Sequence, residues 1–227
     1  MALNTILRNS ESIAINDHRF IGQVISRNQR ISTSEIISVQ PFQFDMKPID
    51  YLLYSQNRTL LSELRAIDRE YEDYLNFGST GWVSYIAYQG DMSSAQISAC
   101  QYQTSTANKT IVLGSLPSIA SSAYIVKTGD FLQIDRYAYI ATSDVLRGTG
   151  STVSIPVHRT VMTTLVSPMY AVIGQYGTTQ SLGGSTYTGV TFPVILQEYP
   201  AYSFIPMTND SFIAWSGTFK AIEAVLP

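Results

Sequence analysis

From Trp82 onward the chain is a succession of short runs rich in Val, Ile, Thr and Tyr, each cut off by Gly, Pro or Asp. Such runs are too short for ordinary helices and match the length and composition of strands. The spacing predicts strands at 82–88, 95–102, 109–113, 124–126, 131–134, 137–141, 152–157, 162–165, 169–173, 192–196, 202–207, 211–215 and 218–225. So many short strands with turn residues between them restrict this part to antiparallel meanders or a barrel. Arg147-Gly148-Thr149-Gly150-Ser151 reads as a glycine-supplied turn. The stretch 174–191 is rich in Gly, Ser and Thr with almost no aliphatic anchor. It reads as an exposed loop or long hairpin tip, ordered by a neighbour.

The first 80 residues differ. Short apolar alternations at 20–27 and 35–44 predict two strands joined around Asn28-Gln29-Arg30, with Phe42 and Phe44 on one face. Leu60, Leu61, Leu64, Ile67, Tyr71, Tyr74 and Leu75 then fall at three- and four-residue spacing, which predicts one amphipathic helix over 60–77 with Gly78 as its stop. Glu63, Arg65, Asp68, Arg69, Glu70, Glu72 and Asp73 fill its other face. Residues 1–80 hold 18 of the 31 charged residues, so charge density drops near 78–81 while its sign does not change.

Over the whole chain the charged fraction is 14%, against about 25% in an ordinary soluble domain. Ser and Thr together number 48 of 227 residues, and there are 15 Tyr. Interface cores are depleted in Lys, Glu and Asp and enriched in Tyr and Trp. The composition therefore favours a subunit covered by neighbours over a monomeric β domain with a hydroxyl-rich surface. A hydrophobic fraction of 45% excludes a disordered chain. No run reaches the length of a membrane helix, and the N-terminus shows no basic-then-apolar leader, so neither a membrane span nor secretion is expected. A net charge of −3 argues against electrostatic nucleic-acid binding.

Catalytic chemistry finds no constellation. His18 and His158 are the two histidines and sit far apart, where a zinc site needs three or four ligands with close spacing. There is no phosphate loop, no Gly-x-Ser-x-Gly elbow and no dinucleotide fingerprint. Cys100 has no basic neighbour to make it a thiolate and reads as a small buried residue. Asp68 and Glu72, one turn apart, read as solvated helix surface. Asp130, Asp135 and Asp144 sit where strands end or turn, which suits side-chain-to-backbone bonding. The chain is therefore expected not to be an enzyme and to need no metal or cofactor.

Taken together, the segments resemble a known family. Phe20-Ile21-Gly22-Gln23-Val24-Ile25-Ser26-Arg27, then Arg30-Ile31-Ser32-Thr33-Ser34-Glu35 and Pro41-Phe42-Gln43-Phe44, resemble the N-terminal hairpin of phage tail-tube-like proteins. Tyr54-Ser55-Gln56-Asn57-Arg58 and the helix follow in the order of that module. Lys127-Thr128-Gly129-Asp130-Phe131-Leu132-Gln133-Ile134, Tyr137-Ala138-Tyr139 and 145–159 look like a β module of baseplate hub and tail-tip proteins. The nearest overall likeness is to structural proteins of cyanobacterial phages.

The resemblance implies a mainly β, α+β fold with one long helix. Residues 1–114 would form a tail-tube-like barrel or sandwich module, 115–165 an inserted antiparallel β module, and 166–227 the strands that complete the tube-like sheet. It implies a ring-forming hub or tube-initiator that links tail tube and baseplate in the virion, assembled in the host cytoplasm. Its partners would be copies of itself in a hexamer or trimer, the tail tube protein, and baseplate hub or wedge proteins, with DNA passing through without sequence-specific binding. The expected subunit contacts are Ile21, Ile25, Ile36, Phe42, Phe44, Arg58, Arg65 and Arg69, with loop contacts at Gly174, Tyr176 and Tyr187. Alternative readings are a receptor- or carbohydrate-binding tail module using Trp82 and Trp215, a tail hydrolase using Asp68/Glu72 or His158, and a head-completion or decoration protein.

Overall fold

A computed structural model describes residues 2–16, 21–25, 31–35, 41–67, 72–78, 84–103, 109–162 and 169–225, with the backbone alone at 21–25 and 31–35. The chain is mainly β, built from several antiparallel sheets, as its short runs predict. It forms two compact units. The first comprises Met1–His18, Pro41–Leu75 and Pro193–Pro227, and the second Arg19–Gln40 and Asn76–Phe192.

The first unit centres on a five-stranded sheet in the order Ser10–Asn16, Gln43–Pro48, Phe219–Glu223, Thr191–Glu198, Asp73–Asn76. Period-two alternation explains how Gln43–Pro48 sits as an inner strand: Phe44, Met46 and Pro48 are buried while Asp45 and Lys47 face out. Met46 pairs with Phe219 and Phe44 with Ala221, so buried side chains meet across the ladder. Phe42 and Phe44 stack with centroids 6.3 Å apart. The helices Ala2–Arg8 and Tyr54–Ala66 pack on each other, burying Leu3, Ile6 and Leu7 on one and Leu60, Leu61 and Leu64 on the other. A separate three-stranded sheet runs Tyr202–Met207, Asp210–Trp215, Leu52–Leu53.

The long helix expected over 60–77 is instead Tyr54–Ala66. The stripe of Leu60, Leu61 and Leu64 is buried as expected, but Ile67 is already extended, at φ −63° and ψ 117°. Tyr74 and Leu75 belong to the strand Asp73–Asn76, where pairing with the sheet outweighs their helical spacing. Tyr71 lies outside the described residues.

The second unit holds two four-stranded sheets. One runs Val153–Pro156, Thr110–Gly114, Gln101–Gln103, Met169–Tyr170, and the other Tyr137–Ile140, Phe131–Ile134, Val172–Ile173, Tyr176–Gly177. Tyr102, Ile111, Leu113, Leu132, Ile134, Tyr139, Ile155 and Ile173 form its core. Residues 115–165 lie inside this unit. Val153–Pro156 pairs with Thr110–Gly114, and Phe131–Ile134 with Val172–Ile173, so pairing crosses both expected boundaries. The strand expected at 95–102 begins as a helix, Ser94–Ala99. Ser93 caps it with a capping box, its hydroxyl accepting from Gln96 N and the Gln96 side chain accepting from Ser93 N. The 82–88 run contains the 3-10 turn Ser84–Ile86.

The N-terminal hairpin pairs Ile21–Ile25 with Ile31–Glu35, so its second strand comes before the expected 35–44 and Gln43–Pro48 is a separate strand. The glycine-rich stretch carries the short hairpin Gln180–Leu182/Ser185–Tyr187, turned by Gly183 and Gly184 at positive φ.

Candidate functional site

The site is built on the first unit, where the helix Tyr54–Ala66 meets the hairpin Tyr202–Met207/Asp210–Trp215. The helix has no local cap, because Leu53 at its N-cap makes no side-chain bond. The hairpin supplies one instead. The Asp210 carboxylate accepts from Ser55 N at 3.1 Å and from Ser55 Oγ at 2.6 Å, at the end where the helix exposes free N–H groups. The Ser55 hydroxyl, first among these donors, holds the Asp210 carboxyl below the ordinary carboxylate range.

Arg58 and Arg65 are seven residues apart, close to two turns, so they share one side of the helix. With Tyr54, Thr59, Leu61 and Ser62 they line a groove of about 340 Å³. Arg65 donates to the Tyr202 hydroxyl and lies over that ring, 6.0 Å from its centroid. The hydrogen bond to Tyr202, with the charge of that group, raises the Arg65 pKa further.

From Tyr202 a continuous series of edge-on ring contacts runs inward and outward. Tyr202 meets Trp215 at 5.3 Å, and Trp215 meets the buried Phe219 at 5.2 Å. Outward, Tyr202 meets Phe204 at 5.6 Å, and Phe204 meets Tyr54 at 5.1 Å. Inner rings thus hold the outer ones in place.

The outer strand of this hairpin is an edge with every side chain from Ser203 to Met207 exposed. Phe204, Ile205 and Met207 are 46%, 42% and 43% accessible. Tyr51, 64% accessible, packs edge-on against Phe212 of the next strand. Arginine, tyrosine, phenylalanine and methionine are the side chains enriched in protein interfaces. An apolar, uncharged edge strand is a template for contact with another chain, although Pro206 removes one N–H from the backbone pairing it can offer.

Of the residues expected to make subunit contacts, Arg58 and Arg65 lie together on this surface. Phe42 and Phe44 are fully buried in their own unit's core. Ile21 and Ile25 sit opposite Glu35 and Ile31 in the hairpin backbone, and Ile36 and Arg69 lie outside the described residues. Gly174 is buried, and a Cβ there would come within 2.7 Å of Ile86 O. Tyr187 is 6% exposed, and Tyr176 packs against Tyr88 at 6.5 Å. These three belong to the second unit's own packing.

The hairpin residues had a signal in the sequence. Phe204-Ile205-Pro206-Met207 has no polar alternation, and a proline inside a strand marks an edge. Asp210 had only a weak one, the lack of a capping side chain at Leu53.

The residues weighed for chemistry are fastened to backbone. Ile140 N donates to His158 Nδ1 at 2.9 Å, and His158 N returns a bond to Ile140 O. The buried Asp130 carboxylate accepts from Gln89 N and Lys127 N, each at 2.8 Å, while its burial raises its pKa. Asp144 accepts from Thr128 N and Oγ1. Burial pushes the Cys100 thiol up to about 11. Glu72 is described, whereas Asp68, His18 and Trp82 lie outside the described residues. Among the described residues no group of three or more His, Cys, Asp and Glu is placed to hold a metal, and no helix is long and apolar enough to cross a membrane. No protein-family model matches this chain, and no curated protein matches it.

Proposed function

We propose that this chain is a ring-forming structural subunit of a phage tail, a hub or tube-initiator that joins the tail tube to the baseplate. The observation that carries assembly is the exposed apolar edge strand Tyr202–Met207, continuous through Phe204 and Tyr54 with the Arg58/Arg65 groove. The tail assignment rests on the resemblance of the hairpin, helix and Gly129-Asp130 segments to tail-tube and hub modules. The work of such a subunit is geometric. Each copy presents its edge strand and arginine groove to a different surface of the next, a heterologous contact that closes into a ring. The ring templates the tail tube, contacts hub or wedge proteins and lets DNA pass. The protein would reside in the virion after assembly in the host cytoplasm and would carry no cofactor and no catalytic group.

Sedimentation velocity and negative-stain electron microscopy of the purified chain test this reading. Closed rings, hexameric or trimeric, or co-polymerisation with the tube protein are expected. Ile205→Lys together with Phe204→Glu places charge on the free edge and is expected to leave monomers with an unchanged circular dichroism spectrum. A wild-type chain that stays monomeric at high concentration, with no affinity for tube or wedge proteins, would sink the proposal.

A further inference from the structure

The second unit carries a depression of a different chemical kind. It has a volume of about 380 Å³, at the small end of ligand sites, and among the residues that line it are Asp135, Tyr170, Thr178, Thr179, Gln180 and Ser181. Three segments bring them together. Asp135 heads the two-residue turn that closes the pairing of Ile134 with Tyr137, and its φ of +53° is one that Asp tolerates better than most side chains. Tyr170 lies on the strand Met169–Tyr170, held in register by Tyr102 and Gln101. Thr178 and Thr179 lead into the short glycine-turned hairpin, whose first strand is Gln180–Leu182.

The chemistry of this lining is selective. Tyr170 is 51% accessible, so its ring offers a flat apolar face with a polar tip. Around it stand one carboxylate, one amide and three aliphatic hydroxyls, which together accept and donate hydrogen bonds. Among the described residues no Lys or Arg lines the depression, so an anionic ligand finds no counter-charge among them and meets the Asp135 carboxylate instead. The Gln180 Oε1 is shielded from water and has no hydrogen-bond partner, an unfavourable state that a ligand hydroxyl relieves. The terminal torsion of Gln is soft, so its amide turns toward such a donor at little cost. A neutral sugar has a C–H face to lie on an aromatic ring and a rim of hydroxyls for mixed donors and acceptors.

We propose that this depression is a binding subsite for a neutral glycan. The assignment uses residues of the second unit only and does not depend on the assembly reading. In it, the Tyr170 ring stacks on the apolar face of one sugar ring. Asp135 and Gln180 accept from its hydroxyls, and Thr178, Thr179 and Ser181 complete the rim.

The full chain, applied to an array of neutral and acidic glycans, tests this directly. Saturation-transfer NMR with methyl α-glucoside, methyl α-galactoside and N-acetylglucosamine, each at about 10 mM to suit the weak affinity of single sugars, supplies the second readout. Neutral glycans are expected to bind and acidic ones to bind at least tenfold more weakly. Tyr170→Ala and Asp135→Ala are each expected to weaken neutral binding at least tenfold, whereas Tyr170→Phe keeps the ring and retains binding. Both side chains are exposed, Tyr170 on a paired strand and Asp135 in the turn, and an unchanged circular dichroism spectrum and melting temperature separate lost binding from a strained turn or lost fold. Absence of binding by every neutral glycan overturns the proposal, as does equal binding of acidic glycans or indifference to both alanine variants.

Discussion

Single residues in this chain show how its most motif-like segments are held in place. The Gly129-Asp130 pair and the Pro156-Val157-His158-Arg159 run look like chemical signatures, yet Asp130, His158 and Arg159 each bond to backbone. Asp130 ties Gln89 N to Lys127 N, His158 ties to Ile140, and Arg159 donates to Ala138 O at 2.6 Å while lying over the Tyr139 ring. Asp130 is buried, so burial works against its charge, but losing it strands two donors. Asp130→Ala is therefore expected to lower stability by about 2 kcal/mol, the usual cost of unmade bonds to shielded amides. Urea unfolding followed by Tyr and Trp fluorescence measures it, and a change within error would show that the loop segments hold each other without it.

At the scale of elements, the helix Tyr54–Ala66 depends on a residue far along the chain. Its own N-cap is Leu53, and the capping carboxylate comes from Asp210 at the turn of the hairpin. Because the folded state holds that carboxyl below its ordinary pKa, its contribution is fully present above the unfolded-state value near 3.8 and fades as pH falls through the lowered one. Thermal unfolding between pH 6 and pH 2.5 is expected to show a smaller acid loss in Asp210→Asn than in the parent, with a lower melting temperature at neutral pH. Equal acid losses would remove Asp210 from the account. The same bond orders the hairpin turn, so one residue both starts the helix and sets the edge strand beside it.

At the scale of the whole molecule, 14% charged residues and the exposed Phe204, Ile205 and Met207 point the same way. A surface with so little charge has little to keep copies apart. The proposed contact mixes an apolar edge with two guanidinium groups, and these respond differently to salt. Raising NaCl from about 0.05 M to 1 M shortens the screening length to about 3 Å and weakens pairs made by Arg58 and Arg65. The apolar part persists, because hydrophobic burial does not depend on that screening. Oligomers are accordingly expected to survive high salt by sedimentation, with association slowed. Dissociation to monomers in 1 M salt would mean that charge pairs hold the contact.

Local sequence properties are enough to make this chain mainly β and to place most of the described strands after residue 109. Tyr124–Val126, Phe131–Ile134 and Tyr202–Met207 coincide with their predicted runs, because period two and turn residues are local properties. The same properties also determined the buried Leu60/Leu61/Leu64 stripe and the surface position of Arg58 and Arg65. Tertiary structure alone decided the rest. Apolar spacing cannot say whether Tyr74 and Leu75 continue a helix or join a sheet, since the partner strand Thr191–Glu198 lies more than 100 residues away. Nor can composition say that Gly174 and Tyr187 pack inward, or that Phe42 and Phe44 face their own core. Burial depends on which distant segments fold back over a residue, and that is settled only when non-local pairing closes the sheets.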